Sequence, residues 1–214
     1  MITPARYSKL DSYKLTITSD QQWDLNKFKT IWLANMAKYE AVAHDTDIPP
    51  QLIAALHMRE SDCDFTTYLL QGDKLGTRTW ADGDSNNGTS LSPDLEGTVL
   101  YGLDQWHEAA VYSLQQEQPK QTELQLKSDT TYLPSLCAFA EMWNGTGYYN
   151  ANLPDPYVLA GTSGYIKGKY IGDHHFDPNA VDEQIGVLPL LWQAFKLSPP
   201  ILAKTGLKSW QGYQ

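Results

Sequence analysis

The sequence predicts a mainly helical fold of the α+β class, with a small β-hairpin set beside one helix. Three observations point there. Five stretches repeat apolar residues at helical spacing, one short segment alternates about a Gly-Asp turn as paired strands do, and the composition suits a single packed core. The chain has 214 residues, 42% of them hydrophobic, with 7 Trp, 13 Tyr and 5 Phe. That much aromatic area favours folding only when it is buried or held against a ligand, which excludes a disordered chain. The length is enough to bury a core without disulfide or metal staples.

In chain order, residues 1–20 are polar with weak alternation over Tyr13–Thr18, and are expected to form an N-terminal arm or a single edge strand. From Asp20, the expected cap, Phe28, Ile31, Trp32, Tyr39 and Val42 recur at helical spacing to about His44. Pro49 and Pro50 open a second helix, PQLIAALHMRESD, because proline is tolerated in a first turn, and its end is expected at Ser61 or Asp62. TTYLLQGDKLGTRTW then reads as the hairpin, followed by the polar loop ADGDSNNGTS. Leu103–Gln116, Tyr132–Trp143 and Asp182–Phe195 complete the predicted helices. Pro134 falls in a first turn, and the segment from Asn144 to Ala180 is rich in Gly, Asn, Pro and Tyr, with Tyr148 and Tyr149 expected in a Gly-rich loop. Residues 198–214, with Pro199 and Pro200 near their start, are expected as a tail packed on the same domain.

Charge and composition exclude several functions. A net charge of −9 and a pI near 4.9 disfavour nucleic-acid binding, which relies on Lys and Arg replacing counterions on phosphates. No apolar run approaches the length of a membrane span, and MITPARYSKLDSYKL lacks the basic start and apolar block of a secretory signal. Cys63 and Cys137 have neither zinc-site spacing nor the numbers for a disulfide framework, so they read as buried thiols. The GDHHFD run from Gly172 to Asp177 invites a metal, but adjacent histidines rarely face one ion and no second ligand pair accompanies them. Neither metal nor cofactor is expected. The NGT sequons at Asn87 and Asn144 matter only in a secreted eukaryotic protein.

Chemistry concentrates on the second helix. Ile53, Leu56, His57 and Glu60 stand at i, i+3, i+4 and i+7, so Glu60 continues an aliphatic stripe at the helix C-terminus. Desolvation and the negative end of the helix dipole both raise a carboxyl pKa there, which suits a proton donor. Arg59 projects about 100° away around the helix. The competing reading is a structural glutamate paired with Arg59, Arg78 or a backbone amide.

The run IPPQLIAALHMRESDCDFTTYLLQGDKLG resembles the catalytic helix and hairpin of lysozyme-like glycoside hydrolases, especially phage endolysins, goose-type lysozymes and lytic transglycosylases. Their helix ends in a catalytic Glu-Ser with Phe downstream, matched here by Glu60, Ser61 and Phe65. WNGTGYYN is similar to the aromatic-Asn-x-Gly segment that closes a core helix beside the sugar groove. The resemblance implies a lysozyme-like fold over residues 21–197 and Glu60 as general acid. Glycosidic cleavage also uses a second carboxylate. Asp73 on the hairpin turn is the expected partner, although Asp is also a common turn former; Asp64 is too close to the helix end, and Asp82 and Asp84 remain open. Thr66 or Thr67 would hold an attacking water, and whether water or the sugar's own hydroxyl attacks stays open. Tyr68, Gln71, Trp143, Asn144, Tyr148 and Tyr149 would contact sugar, with Tyr165 and Tyr170 extending the wall.

The expected function is therefore a monomeric muramidase that cleaves the β-1,4 bond between N-acetylmuramic acid and N-acetylglucosamine in peptidoglycan glycan strands. Chitinase or chitosanase activity, or a non-catalytic glycan-binding or particle-structural role on the same fold, are the alternatives. Without an export signal, synthesis in the cytoplasm is expected, with action at the cell wall or periplasm after holin-type release or delivery by a particle.

Overall fold

The computed structural model describes residues 2–70, 72–76, 101–172 and 175–198. Two 3-10 turns, Pro4–Tyr7 and Leu10–Ser12, precede α1 (Ser19–Thr46), α2 (Pro50–Ser61), α3 (Trp106–Gln116), α4 (Gln118–Glu123), α5 (Leu133–Asn144), α6 (Gly147–Asn150) and α7 (Pro156–Leu159). Strands β1 (Lys169–Gly172) and β2 (His175–Asp177) and helix α8 (Val187–Leu197) complete the order. The protein is mainly helical with one small antiparallel sheet.

Helix α2 lies at the centre, packed against α1, α5 and α8. Every residue from Pro50 to Met58 is buried, polar Gln51 and His57 included, so this helix is covered on all sides, as a central helix must be. It begins at Pro50, as the prolines predict. It ends on Asp62 and Cys63, both left-handed (φ 60° and 59°), whose amides close on the carbonyls of Met58 and His57 at 3.1 Å. Buried apolar residues from Ile2 to Phe195 form one contiguous core.

Helix α1 starts two residues before the expected helix. Thr18 is its cap, accepting from the Gln21 amide while the Gln21 side chain accepts from the Thr18 amide, so Asp20 lies in the first turn. The helix kinks at Asn35 (φ −128°), whose side-chain amide donates to the Ile31 carbonyl at 3.0 Å. An aromatic cluster ties three elements together: Phe65, after α2, lies 4.6 Å from Trp106, 4.9 Å from His57 and 5.5 Å from Tyr39 between ring centres.

Four expectations are corrected. The Leu103 helix starts only at Trp106, because Gln105 folds its side chain back onto the Gly102 amide at 2.7 Å. The last helix starts at Val187 rather than Asp182, with Gly186 extended and set against Val158 of α7. There, a Cβ on Gly186 would fall 2.5 Å from the Val158 carbonyl oxygen.

The hairpin after α2 shrinks to a single bridge, Thr67 to Lys74, within the described residues. The two-stranded sheet forms instead at Lys169–Asp177, where no strand is expected. The N-terminal arm does make one strand-like bridge, Leu15 to Thr162, and is otherwise turns. No helix among the described residues is long and apolar enough to cross a membrane. Both cysteines are buried free thiols.

Candidate active site

The apolar stripe of α2 delivers Glu60 to the floor of a cleft of about 520 Å³, within the usual size of small-molecule sites. Ile53, Leu56 and His57 on the same stripe are wholly buried, whereas Glu60 keeps a strip of surface toward the cleft. Its carboxyl is neither turned wholly inward nor set on a convex face. The turn beyond the helix presses closely: a Cβ on Gly72 (φ +68°) would fall 2.7 Å from the Glu60 carbonyl oxygen, so only glycine fits.

One carboxyl oxygen, Oε1, accepts two hydrogen bonds, from Tyr157 Oη at 2.7 Å and from Trp143 Nε1 at 2.9 Å. Both donors are neutral, and Glu60 has no ion pair among the described residues. Burial pushes its pKa above the ordinary glutamate range, and the Tyr157 and Trp143 hydrogen bonds and the Arg59 charge pull back only in part.

Arg59 belongs to a different partner. Its Nη2 meets Asp182 Oδ2 at 2.9 Å, its Nη1 donates to the Ile185 carbonyl at 3.2 Å, and its guanidinium lies 4.7 Å over the Tyr157 ring. Lys169 of β1 takes the other Asp182 oxygen at 3.0 Å. Burial opposes ionisation of Asp182, yet the two cations outweigh it and hold the pKa below the ordinary range. The reading of Glu60 as the partner of Arg59 is thus not what the geometry shows, and Arg78 lies outside the described residues.

The remaining walls come from α5, α6 and α7. Asn144 and Tyr148, both expected as glycan contacts, line the cleft, and Tyr170 stands beside Tyr148 with ring centres 5.0 Å apart. Tyr148 Oη accepts from the Tyr170 amide at 2.9 Å, which pins β1 to α6.

Other expected contacts are placed elsewhere. Trp143 is 8% exposed and spends its N–H on Glu60, so it positions the carboxyl instead of forming a sugar platform. Tyr68 is 2% exposed, with its hydroxyl accepting from the Tyr101 amide, and presents no face to a ligand. Thr66 is exposed, but its hydroxyl is held by Asp64 at 2.7 Å and it does not line this cleft. Tyr149 packs under the Arg6 guanidinium at 5.4 Å and is not a lining residue. Asp73 accepts the Tyr68 amide on its carbonyl at 2.7 Å in the expected turn, and its residue is likewise not among those lining the cleft. Gln71, Asp82, Asp84, Asp173 and His174 lie outside the described residues. Among the described residues, no group of three or more His, Cys, Asp or Glu side chains is placed to hold a metal ion.

The sequence reading missed three supporting groups. Tyr157 holds the acid. Asp155 is fully buried, caps α7 by accepting the Tyr157 amide at 2.9 Å, and faces the Asn144 amide at 3.4 Å. Its Oδ2 is buried without a hydrogen-bond partner among the described residues; burial, then the nearby Glu141 charge, pushes its pKa up to about 7.

Glu141 is itself buried under a latch from the N-terminal turn. Arg6 Nε and Nη2 grip its two oxygens at 2.5 and 2.7 Å, and Tyr7 Oη donates at 2.9 Å. A signal for Glu141 was present: it follows Cys137 by four residues on the buried face of α5, the pattern that singled out Glu60.

No protein-family model, curated protein or solved structure matches this chain.

Proposed function

We propose that the protein is a peptidoglycan-cleaving glycoside hydrolase in which Glu60 protonates the leaving oxygen of the β-1,4 glycosidic bond. The observation that carries this reading is the state of one carboxyl: raised in pKa by burial, fixed through Oε1 by two neutral donors, and open to a cleft walled by tyrosines and an asparagine. A carboxyl held this way keeps its proton to higher pH than ordinary glutamate, and Oε2 is left to deliver it. The half-buried Tyr170 ring and the exposed Asn144 amide match the alternating C–H and hydroxyl surfaces of a sugar. The lysozyme-like relationship belongs to the same proposal, as does action at the cell wall after release or delivery from the cytoplasm.

The partner group separates two chemistries. The other carboxyl among the described lining residues, Asp182, is committed to Arg59 and Lys169, which makes it a poor base or nucleophile. That favours cleavage in which the sugar's own hydroxyl closes an anhydro ring, over attack by a water that a second carboxylate activates. Mass spectrometry of digested peptidoglycan distinguishes them, since anhydro ends are lighter by one water.

Glu60→Gln tests the core of the reading. It keeps an acceptor for Tyr157 and Trp143 but has no proton to donate, so lysis of purified cell walls should fall by about 10²–10⁴-fold with folding and glycan binding retained. Undiminished lysis by this variant removes Glu60 from the mechanism.

A further inference from the structure

Among the described lining residues, the cleft carries a cation surplus on one side, Arg59 and Lys169 against Asp182, although the chain as a whole carries −9. Asp182 is one carboxylate serving two cations, Arg59 through Oδ2 and Lys169 through Oδ1. The two cations are not equivalent. The Arg59 side chain is 6% exposed, and its guanidinium is turned toward Asp182, the Ile185 carbonyl and the Tyr157 ring. Lys169 has a side chain 37% exposed and three N–H donors, of which Asp182 takes one. Asp177 stands opposite Lys169 in the strand register, but it is not a lining residue and it spends Oδ1 on the Asn179 amide at 2.7 Å. The ammonium group is anchored by Asp182, and the strand that carries it is pinned through the Tyr170 amide to Tyr148.

From this juxtaposition we propose that the β1 wall of the cleft is a subsite for a carboxylate-bearing substituent of the glycan, with Lys169 as the donor that selects it. The inference rests on the glycan-cleaving reading and sharpens it. An anionic saccharide gains a charge-assisted bond beside Glu60, a neutral chitin chain gains nothing there, and a cationic chitosan chain is repelled. The contact is partly solvent-exposed, so its contribution is modest and shrinks as salt rises.

The test is calorimetric titration of Glu60→Gln protein, which binds without turnover, in low salt. Three tetrasaccharides are compared: N-acetylchitotetraose, alternating N-acetylglucosamine and N-acetylmuramic acid with free lactyl carboxylates, and that chain as its methyl esters. The free acid should bind about three- to fivefold more tightly than either neutral probe. Adding Lys169→Met should erase the difference and leave chitotetraose binding unchanged, whereas Lys169→Arg should keep it. A fourth probe, with its lactyl groups amidated to peptide stems, separates the two sources of carboxylate: tightening there as well means that the stem's carboxylate is also read.

Equal affinity for free acid and ester overturns the subsite while leaving the glycan cleft standing, and so does a preference that survives Lys169→Met. The acid-against-ester comparison needs no Lys169 variant and decides even if that variant does not fold. Failure of every probe to bind overturns the glycan reading and the subsite with it.

Discussion

At the scale of single residues, the decisive feature is that both donors converge on the same oxygen of Glu60. Tyr157 and Trp143 donate to Oε1, so the neutral acid carries its hydrogen on Oε2. Hydrogen bonds to a carboxyl stabilise the ionised form, and here they oppose a burial effect that raises the pKa. Removing one must therefore raise the pKa further. Tyr157→Phe is expected to move the alkaline limb of the pH-rate profile to higher pH. Turnover should also drop about tenfold, the equivalent of one hydrogen bond of about 1.4 kcal/mol. Titration of the Glu60 carboxyl by carbon NMR gives the same shift without reference to activity. A limb that stays in place or moves to lower pH contradicts this role.

At the scale of elements, the site is held by contacts that cross long stretches of chain. Arg6 and Tyr7 grip Glu141 on α5, the helix that also carries Trp143 and Asn144, and Arg6 adds the Leu153 carbonyl at 2.6 Å. Arg6→Ala leaves a buried carboxylate without its cation, which is expected to cost about 3–5 kcal/mol in urea unfolding. Arg6→Ala with Glu141→Gln should recover part of that loss, because no unpaired charge remains. Full additivity of the two substitutions would show that the pair is not coupled.

This scale also marks where sequence reasoning reaches its limit. The start and end of α2 and the placement of Glu60 were legible because proline tolerance and apolar spacing are local properties. The β1–β2 sheet was not, since Lys169–Gly172 and His175–Asp177 are short and partly exposed, and show no clean alternation. Tyr157 and Lys169 were equally out of reach, because their partners are set by packing between segments far apart in the chain. Tyr68 and Trp143 were read as groove residues from residue type and, for Trp143, from the WNGTGYYN resemblance, and the core claims both.

At the scale of the whole molecule, two buried titratable groups have opposite effects on stability. His57 is fully buried, bonded to Tyr39 Oη and to the Asp64 carbonyl at 3.1 Å each, and burial lowers its pKa to about 4. The unfolded histidine takes a proton near pH 6.5, so stability from this site is lost as pH falls from about 6.5 through 4. Asp155 runs the other way. Its folded pKa of about 7 exceeds the unfolded value of 3.8, so its contribution is full below about pH 4 and is lost as pH rises through 7. The two slopes offset each other between pH 4 and 6.5. Asp155→Asn removes one of them and should unmask the other. The variant is expected to be more stable than the parent at pH 8, by about 2 kcal/mol, and to weaken visibly toward pH 4.5. Denaturant midpoints at the two pH values check this, and an unchanged pH dependence contradicts it.

The latch on Glu141 has a consequence for how the chain comes into being. Arg6 leaves the ribosome 135 residues ahead of the side chain that anchors it. At synthesis rates of about 5–20 residues per second, that leaves the leading segment roughly 7–27 s without its partner. Ile2, Tyr7 and Leu10, in and beside the same turns, are buried in the completed fold. A nascent chain halted before residue 141 should be a preferred client of ribosome-associated chaperones, and one released beyond Leu153 should shed them.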